Sequence, residues 1–328
     1  MLPPAHNSRY RVIAKAFASQ ADLEEKEVTF AELADGVYGY TAEGDPNAGV
    51  IVGPDSVVVL EALATPVLAQ KLVAEIRKVT DKPIKHVVLS HYHAVRVLGA
   101  SAYGASEIIM SQDTRDLVAE RGQQDYESEA RRFPRLFQGI ESVPGLTWPT
   151  QTFTGQMTLW LGDREVQIAQ VGRAHTKGDT IVWLPKEKVM FSGDIVEYHS
   201  ALYCGDAYLQ DWGGTLDAVQ AYGAAKIVPG RGAALDTPQK ISDAFKGTRA
   251  FVDALYGGAK QAVEAGKDLK ATYADVYAAM HPTFGDWVIF DHCMPFNVSR
   301  AFDEASGMAD PQIWTAERDA AMWEALEG

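Results

Sequence analysis

Two periods of apolar residues divide the chain. Short runs at 37–40, 49–52 and 57–60 are rich in Val, Ile and Tyr and are separated by Gly, Asp, Asn and Pro, so they predict a meander of strands. Thr65-Pro66 follows as an N-cap with proline in the first turn. Leu68, Leu72 and Ile76 then recur at helical spacing and predict an amphipathic helix over 66–79. Residues 84–89 form an apolar run bounded by Pro83 and Ser90, the pattern of a buried strand, and it leads into Ser90-His91-Tyr92-His93. A helical stretch over 111–132 precedes a second set of strands. Runs 157–161 and 164–171 flank Gly162-Asp163, a hairpin signal, and 180–184, 189–192 and 226–228 complete the set. Beyond residue 238 the period changes, and 241–266, 273–280, 297–305 and 315–326 predict helices.

Strands and helices arranged in two similar halves suit an α/β architecture of two sheets packed face to face with helices outside. The expected organisation is a core over 1–240 and a helical extension over 241–328 packed on it. Phe245, Phe251, Trp287, Phe290 and Trp314 give that extension enough apolar surface for the core, or for a homodimer. No internal repeat is visible, which excludes a solenoid.

Composition narrows the function classes. With 30 basic against 44 acidic residues the chain carries a net charge of −14, a field that repels phosphate. Nucleic acid and anionic membrane surfaces are therefore not the expected partners, whereas a small-molecule substrate is; a locally positive pocket still admits an anionic one. Cys204 and Cys293 are too few for a disulfide framework. No apolar stretch reaches the roughly 18–20 residues that span a bilayer. Residues 1–20 carry Arg9, Arg11 and Lys15 without the apolar run of a secretory leader, so a cytoplasmic location is expected.

The candidate chemistry sits at strand ends. His91 and His93 are two apart in extended chain, so their imidazoles can converge on one ion. His175 follows the strand at 164–171, and Asp194 follows the one at 189–192. The plain alternative for Asp194 is a turn cap after Gly193. Glu197, Tyr198 and His199 stand close enough in sequence to enter the same site, although a solvated loop fits them as well. Cys204 offers a soft ligand or a packed thiol, and His292 lies just before a predicted helix. His6, His86 and His281 have no partner pattern. No Gly-x-Ser-x-Gly elbow and no Gly-rich phosphate loop is present.

These residues resemble the metallo-β-lactamase superfamily. Its first motif, His-x-His-x-Asp-His, is matched in part by His91-Tyr92-His93-Ala94-Val95-Arg96. His175-Thr176-Lys177-Gly178 resembles the next ligand segment, Gly193-Asp194 the bridging aspartate, and Pro229-Gly230-Arg231-Gly232 the final Pro-Gly-His-Gly. Glu61 stands where an aspartate is common. The resemblance covers 35–235 and implies the αββα sandwich of two facing mixed sheets with outer helices. It also implies a metal site on His91, His93 and His175, with Asp194 as a fourth ligand or as the base that orients water.

The departures are equally informative. Val95, Arg96 and Arg231 replace the ligands of the family's second metal, and neither valine nor a permanently charged guanidinium can coordinate one. The expectation is a mononuclear metal-dependent hydrolase holding one zinc ion, with iron or manganese as other candidates. It would cleave an ester, lactone, thioester, amide or phosphoester. Asp194, Arg96 and Arg231 are the expected catalytic residues, the arginines clamping a substrate anion or merely pairing with local acids. Two other readings stay open: a mononuclear iron oxygenase of the same fold, and a non-catalytic binding protein.

Overall fold

The computed structural model describes residues 18–327. Seven strands form the first sheet in chain order: β1 (Val28–Ala34), β2 (Val37–Ala42), β3 (Ala48–Val52), β4 (Val57–Leu60), β5 (Ile84–Val88), β6 (Glu107–Ser111) and β7 (Gln151–Phe153). Pairing is antiparallel from β1 to β4 and parallel from β4 to β7. The parallel half needs crossovers, and these are helical: α1 (Pro66–Val79), the short α2 (Ala94–Val97), and α3 (Gln112–Arg132). The second sheet runs β12-β11-β10-β9-β8, from β8 (Gln156–Leu161), β9 (Arg164–Gln170), β10 (Thr180–Leu184), β11 (Val189–Phe191) and β12 (Lys226–Val228).

Three hydrophobic layers order the molecule. Between the sheets, Ile51, Val58, Leu60 and Val88 meet Val166, Ile168, Val182 and Val189. Gly49 lets the sheets approach there, because a Cβ on it would lie 2.1 Å from the Phe191 ring. The outer face of the first sheet is covered by Leu72 and Ile76 of α1 and by Leu117 and Val118 of α3. The outer face of the second takes Trp212 and Leu216 of α4 (Leu209–Gln220), then Phe251 of α5 (Pro238–Glu264), Met280 of α6 (Leu269–Phe284) and Phe290 and Phe296 of α7 (Phe290–Ala305). The last helix, α8 (Ala316–Glu327), packs on α3, α6 and α7. The result is the αββα sandwich with additional C-terminal helices.

Differences from the sequence reading have local causes. β1 is a half-exposed edge strand whose burial does not alternate, and β7 is three residues long, so neither carries a strand period. α4 contains Gly213 and Gly214, which lower helix propensity; its buried Leu209, Trp212, Leu216 and Val219 override that cost. α7 begins at Phe290 and not at 297, because Pro295 sits inside the helix and does not end it. Among the described residues, no helix is long and apolar enough to cross a membrane.

Candidate metal centre

Strand ends place the histidines. β5 runs out at Val88 and delivers His91 and His93, and the turn after β9 delivers His175; all three are almost fully buried. Their rings pack nearly perpendicular to one another, with centroids 4.6 to 4.9 Å apart. One nitrogen from each lies within 4.8 Å of the others. His93 Nδ1 is 2.9 Å from His175 Nε2, and His91 Nε2 has no hydrogen-bond partner.

The outward nitrogens are all held. Ser90 Oγ lies 2.8 Å from His91 Nδ1, the Tyr203 carbonyl 2.8 Å from His175 Nδ1, and Asp206 Oδ2 3.1 Å from His93 Nε2. Asp206 is itself anchored by Arg121, whose Nη1 donates to Oδ1 at 3.2 Å. Metal-ligating histidines need partners of this kind on the second nitrogen. A buried donor left unpartnered at the centre, with every outer nitrogen fixed, therefore fits a metal ion. His93, Asp125 and Asp206 also cluster within ligand distance. However, Asp206 is engaged by Arg121, and Asp125 Oδ2 accepts the Ala94 N–H at 2.7 Å, so these carboxylates serve as supports.

Burial acts on the imidazoles differently. It lowers His175 to about 3 and His91 well below the ordinary value, despite the opposing charge of Asp194. Burial also disfavours protonated His93, but Asp125, Asp206 and Glu129 outweigh it and raise that group to about 9.

Asp194 presents Oδ2 to the trio, 3.5 Å from His175 Nε2 and 3.8 Å from His91 Nε2. Burial opposes its ionisation, yet the Arg96 and Arg231 guanidiniums hold it well below the usual carboxylate range. Arg96 Nη2 donates to Oδ1, and Arg231 Nη1 donates to Oδ2 at 3.1 Å. The two arginines are not equivalent. Arg96 is 1% exposed and also donates to the Asn47 and Gly230 carbonyls, so it braces Asp194 from behind. It also lines a separate cavity of about 20 Å³ beside Glu61 and Ser90. Arg231 alone lines the chamber at the histidines. Glu197 supports Arg231, accepting from its backbone N–H and, at 3.2 Å, from Nη1.

That chamber measures about 10 Å³, the room one water needs. Val95, Glu129, Phe133 and Tyr203 wall it, and Ile289 and Cys293 of the C-terminal helical region roof it. Other sequence candidates lie elsewhere. His199 is exposed, its ring against Tyr198 and Trp287, so the loop reading holds for it. His292 faces Arg132 and Phe133. Cys204 and Cys293 are free and buried.

Asp125, Glu129 and Asp206 escaped the sequence reading. Glu129 accepts the Val95 N–H at 3.0 Å, so α3 caps the first turn of α2 with two carboxylates and fixes the backbone that carries His93. The available signal was Arg121, Asp125, Ser128, Glu129 and Arg132, a polar stripe at helical spacing that is buried.

A two-sheet sandwich with a histidine-lined candidate metal site at its strand ends defines a class, and comparison supplies its family. The sequence pattern of the metallo-beta-lactamase superfamily matches residues 41–231, and the chain belongs to that superfamily. It is similar to the metallo-beta-lactamase type 2 of Bacteroides fragilis, 24% identical over 219 residues, covering 63% of this chain and 80% of that one. A linear primary-alkylsulfatase of a Pseudomonas species is 21% identical over 235 residues, covering 61% of this chain and 44% of that enzyme. In three dimensions the metallo-beta-lactamase from Pontibacter korlensis superposes with a TM-score of 0.55 at 19% identity, over 69% of this chain and 99% of that one, a likeness of fold.

Proposed function

We propose that this protein is a metal-dependent hydrolase with a single ion, zinc in the first instance, held by His91, His93 and His175. The carrying observation is the unpartnered His91 Nε2 facing His93 and His175, whose outer nitrogens are all braced. Zinc in such a site supplies Lewis acidity and a water that ionises near neutral pH. Asp194, kept ionised by two guanidiniums, would accept a hydrogen bond from that water on Oδ2 and so orient it. Arg231 lies on the chamber wall and steadies the oxygen that gains charge as the scissile bond is attacked. Arg96 positions Asp194. The second-ion region is occupied by the Arg96–Asp194–Arg231 group, which supports a mononuclear centre. The relatives carry the names of a lactamase and an alkylsulfatase, which supports hydrolysis of a small molecule over oxygenase chemistry.

Elemental analysis after zinc loading and dialysis tests this together with a screen of 4-nitrophenyl esters, lactones and sulfates. One equivalent per chain is expected, lost in His175→Ala and retained in His199→Ala. Two tightly held equivalents, or an equivalent that survives His175→Ala, would overturn the assignment.

A further inference from the structure

Each sheet ends in two edge strands, and β8 is unlike the other three. β7 and β12 are three residues long, and β12 is partly covered by a bridge between Ile227 and Leu235. β1 carries Glu32, a charge of the kind that discourages edge pairing. β8 runs for six residues, Gln156-Met157-Thr158-Leu159-Trp160-Leu161, without a charge, a proline or a glycine. Its Trp160 is 60% exposed.

The hairpin fixes which main-chain groups of β8 are free. Gly162 and Asp163 form a two-residue turn between Leu161 and Arg164, so that pair exchanges hydrogen bonds and bonded pairs alternate from there. Met157, Leu159 and Leu161 therefore bond towards β9, in keeping with the Gln170 N–H that donates to the Gly155 carbonyl. The N–H and C=O groups of Gln156, Thr158 and Trp160 point off the sheet. Among the described residues, no other strand or loop bonds to them.

Thr158 is the middle of that free row, so the strand can pair antiparallel with its own copy across a two-fold axis at Thr158. Thr158 then faces the second copy's Thr158, Met157 faces Leu159, and Gln156 faces Trp160. Main-chain hydrogen bonds close at all three free positions. None of these pairs opposes like charges, which matters between two chains of net charge −14. We propose that β8 is a self-pairing edge, through which two copies of this chain join their five-stranded sheets into one continuous sheet. A foreign extended peptide would use the same free groups; the match of the strand to its own reverse selects a second copy. One strand pair with its flanking side chains is a small interface, so the dimer is weak and forms in the micromolar range.

Sedimentation velocity of the full chain over a micromolar dilution series tests it. A monomer–dimer equilibrium is expected, and it tightens as salt screens the net charge. Thr158→Lys sets two like charges against each other at the axis and abolishes the dimer, whereas Thr158→Val retains it. Position 158 is exposed, so both variants keep the parent's circular dichroism and melting curve. Register is read with an introduced thiol, because the native Cys204 and Cys293 are buried. Residues paired in this way lie about 5.5 Å apart at Cα. A short bifunctional thiol reagent therefore links Thr158→Cys into a covalent dimer, but not Asp163→Cys, whose copies lie about 34 Å apart by strand rise. A parent that stays monomeric across the series, a dimer untouched by Thr158→Lys, or equal cross-linking at the two positions would overturn the proposal.

Discussion

Asp206 decides which nitrogen of His93 faces His175. Its carboxylate, steadied by Arg121, holds Nε2 on the outside and leaves Nδ1 turned inward. Removing such a partner typically costs about 10–100-fold in metal affinity. Asp206→Ala should therefore weaken zinc binding by that range in competition with a chromophoric chelator, and Asp206→Asn should fall between parent and alanine variant. Equal affinities for all three would make the carboxylate a packing group only. Glu61 offers a test at the same scale. Burial raises its carboxyl to about 7, against the opposing attraction of Arg96. A group with a folded value above its unfolded one, about 4.3, stabilises the fold at low pH and loses that contribution as pH rises through 7. Glu61→Gln should consequently gain on the parent across pH 4.5–7.5, by up to about 3 kcal/mol. A stability difference that does not change with pH would contradict the assignment.

At the scale of elements, the helices after β12 are part of one core with the second sheet. Phe251 of α5 is fully buried and stacks on Trp287 at 5.9 Å, and Phe290 and Phe296 of α7 belong to the same cluster as Trp183 and Trp212. Phe251→Ala should cost about 3–5 kcal/mol in urea unfolding, and the transition should remain single. A separate early transition would show that the helices fold apart from the sandwich. α7 also carries a local strain signal: Ile289, a β-branched residue with φ of 59°, precedes it and roofs the metal chamber. The strands that read clearly from sequence, β2 to β5 and β8 to β12, are those with continuous or alternating apolar runs between turn residues. His91, His93, His175 and Asp194 were legible because each directly follows such a run. The supports were not, because Asp125 and Glu129 read as ordinary polar positions on a helix until the fold turns that face inward. The unequal roles of Arg96 and Arg231 were hidden for the same reason, since sequence puts both at ligand positions while only Arg231 lines the chamber at the histidines.

Across the whole molecule the chain carries a net charge of −14, and at the site Arg96, Asp194, Arg231 and Glu197 form a buried group of two guanidiniums and two carboxyl groups paired with one another. Breaking such a group strands a charge in low dielectric, which typically costs about 3–5 kcal/mol. Arg96→Met alone should thus destabilise the fold by that order in thermal or urea unfolding, and Arg96→Met combined with Asp194→Leu should recover part of the loss. The central claim is that one ion occupies the three histidines while the arginines stand in for a second. A crystal structure of the zinc-loaded protein, with anomalous maps on both sides of the zinc edge, tests it most directly. The account predicts one zinc peak per chain, among His91, His93 and His175. A second zinc peak at Asp194, with Arg231 displaced, or no zinc peak among the three histidines, would contradict it.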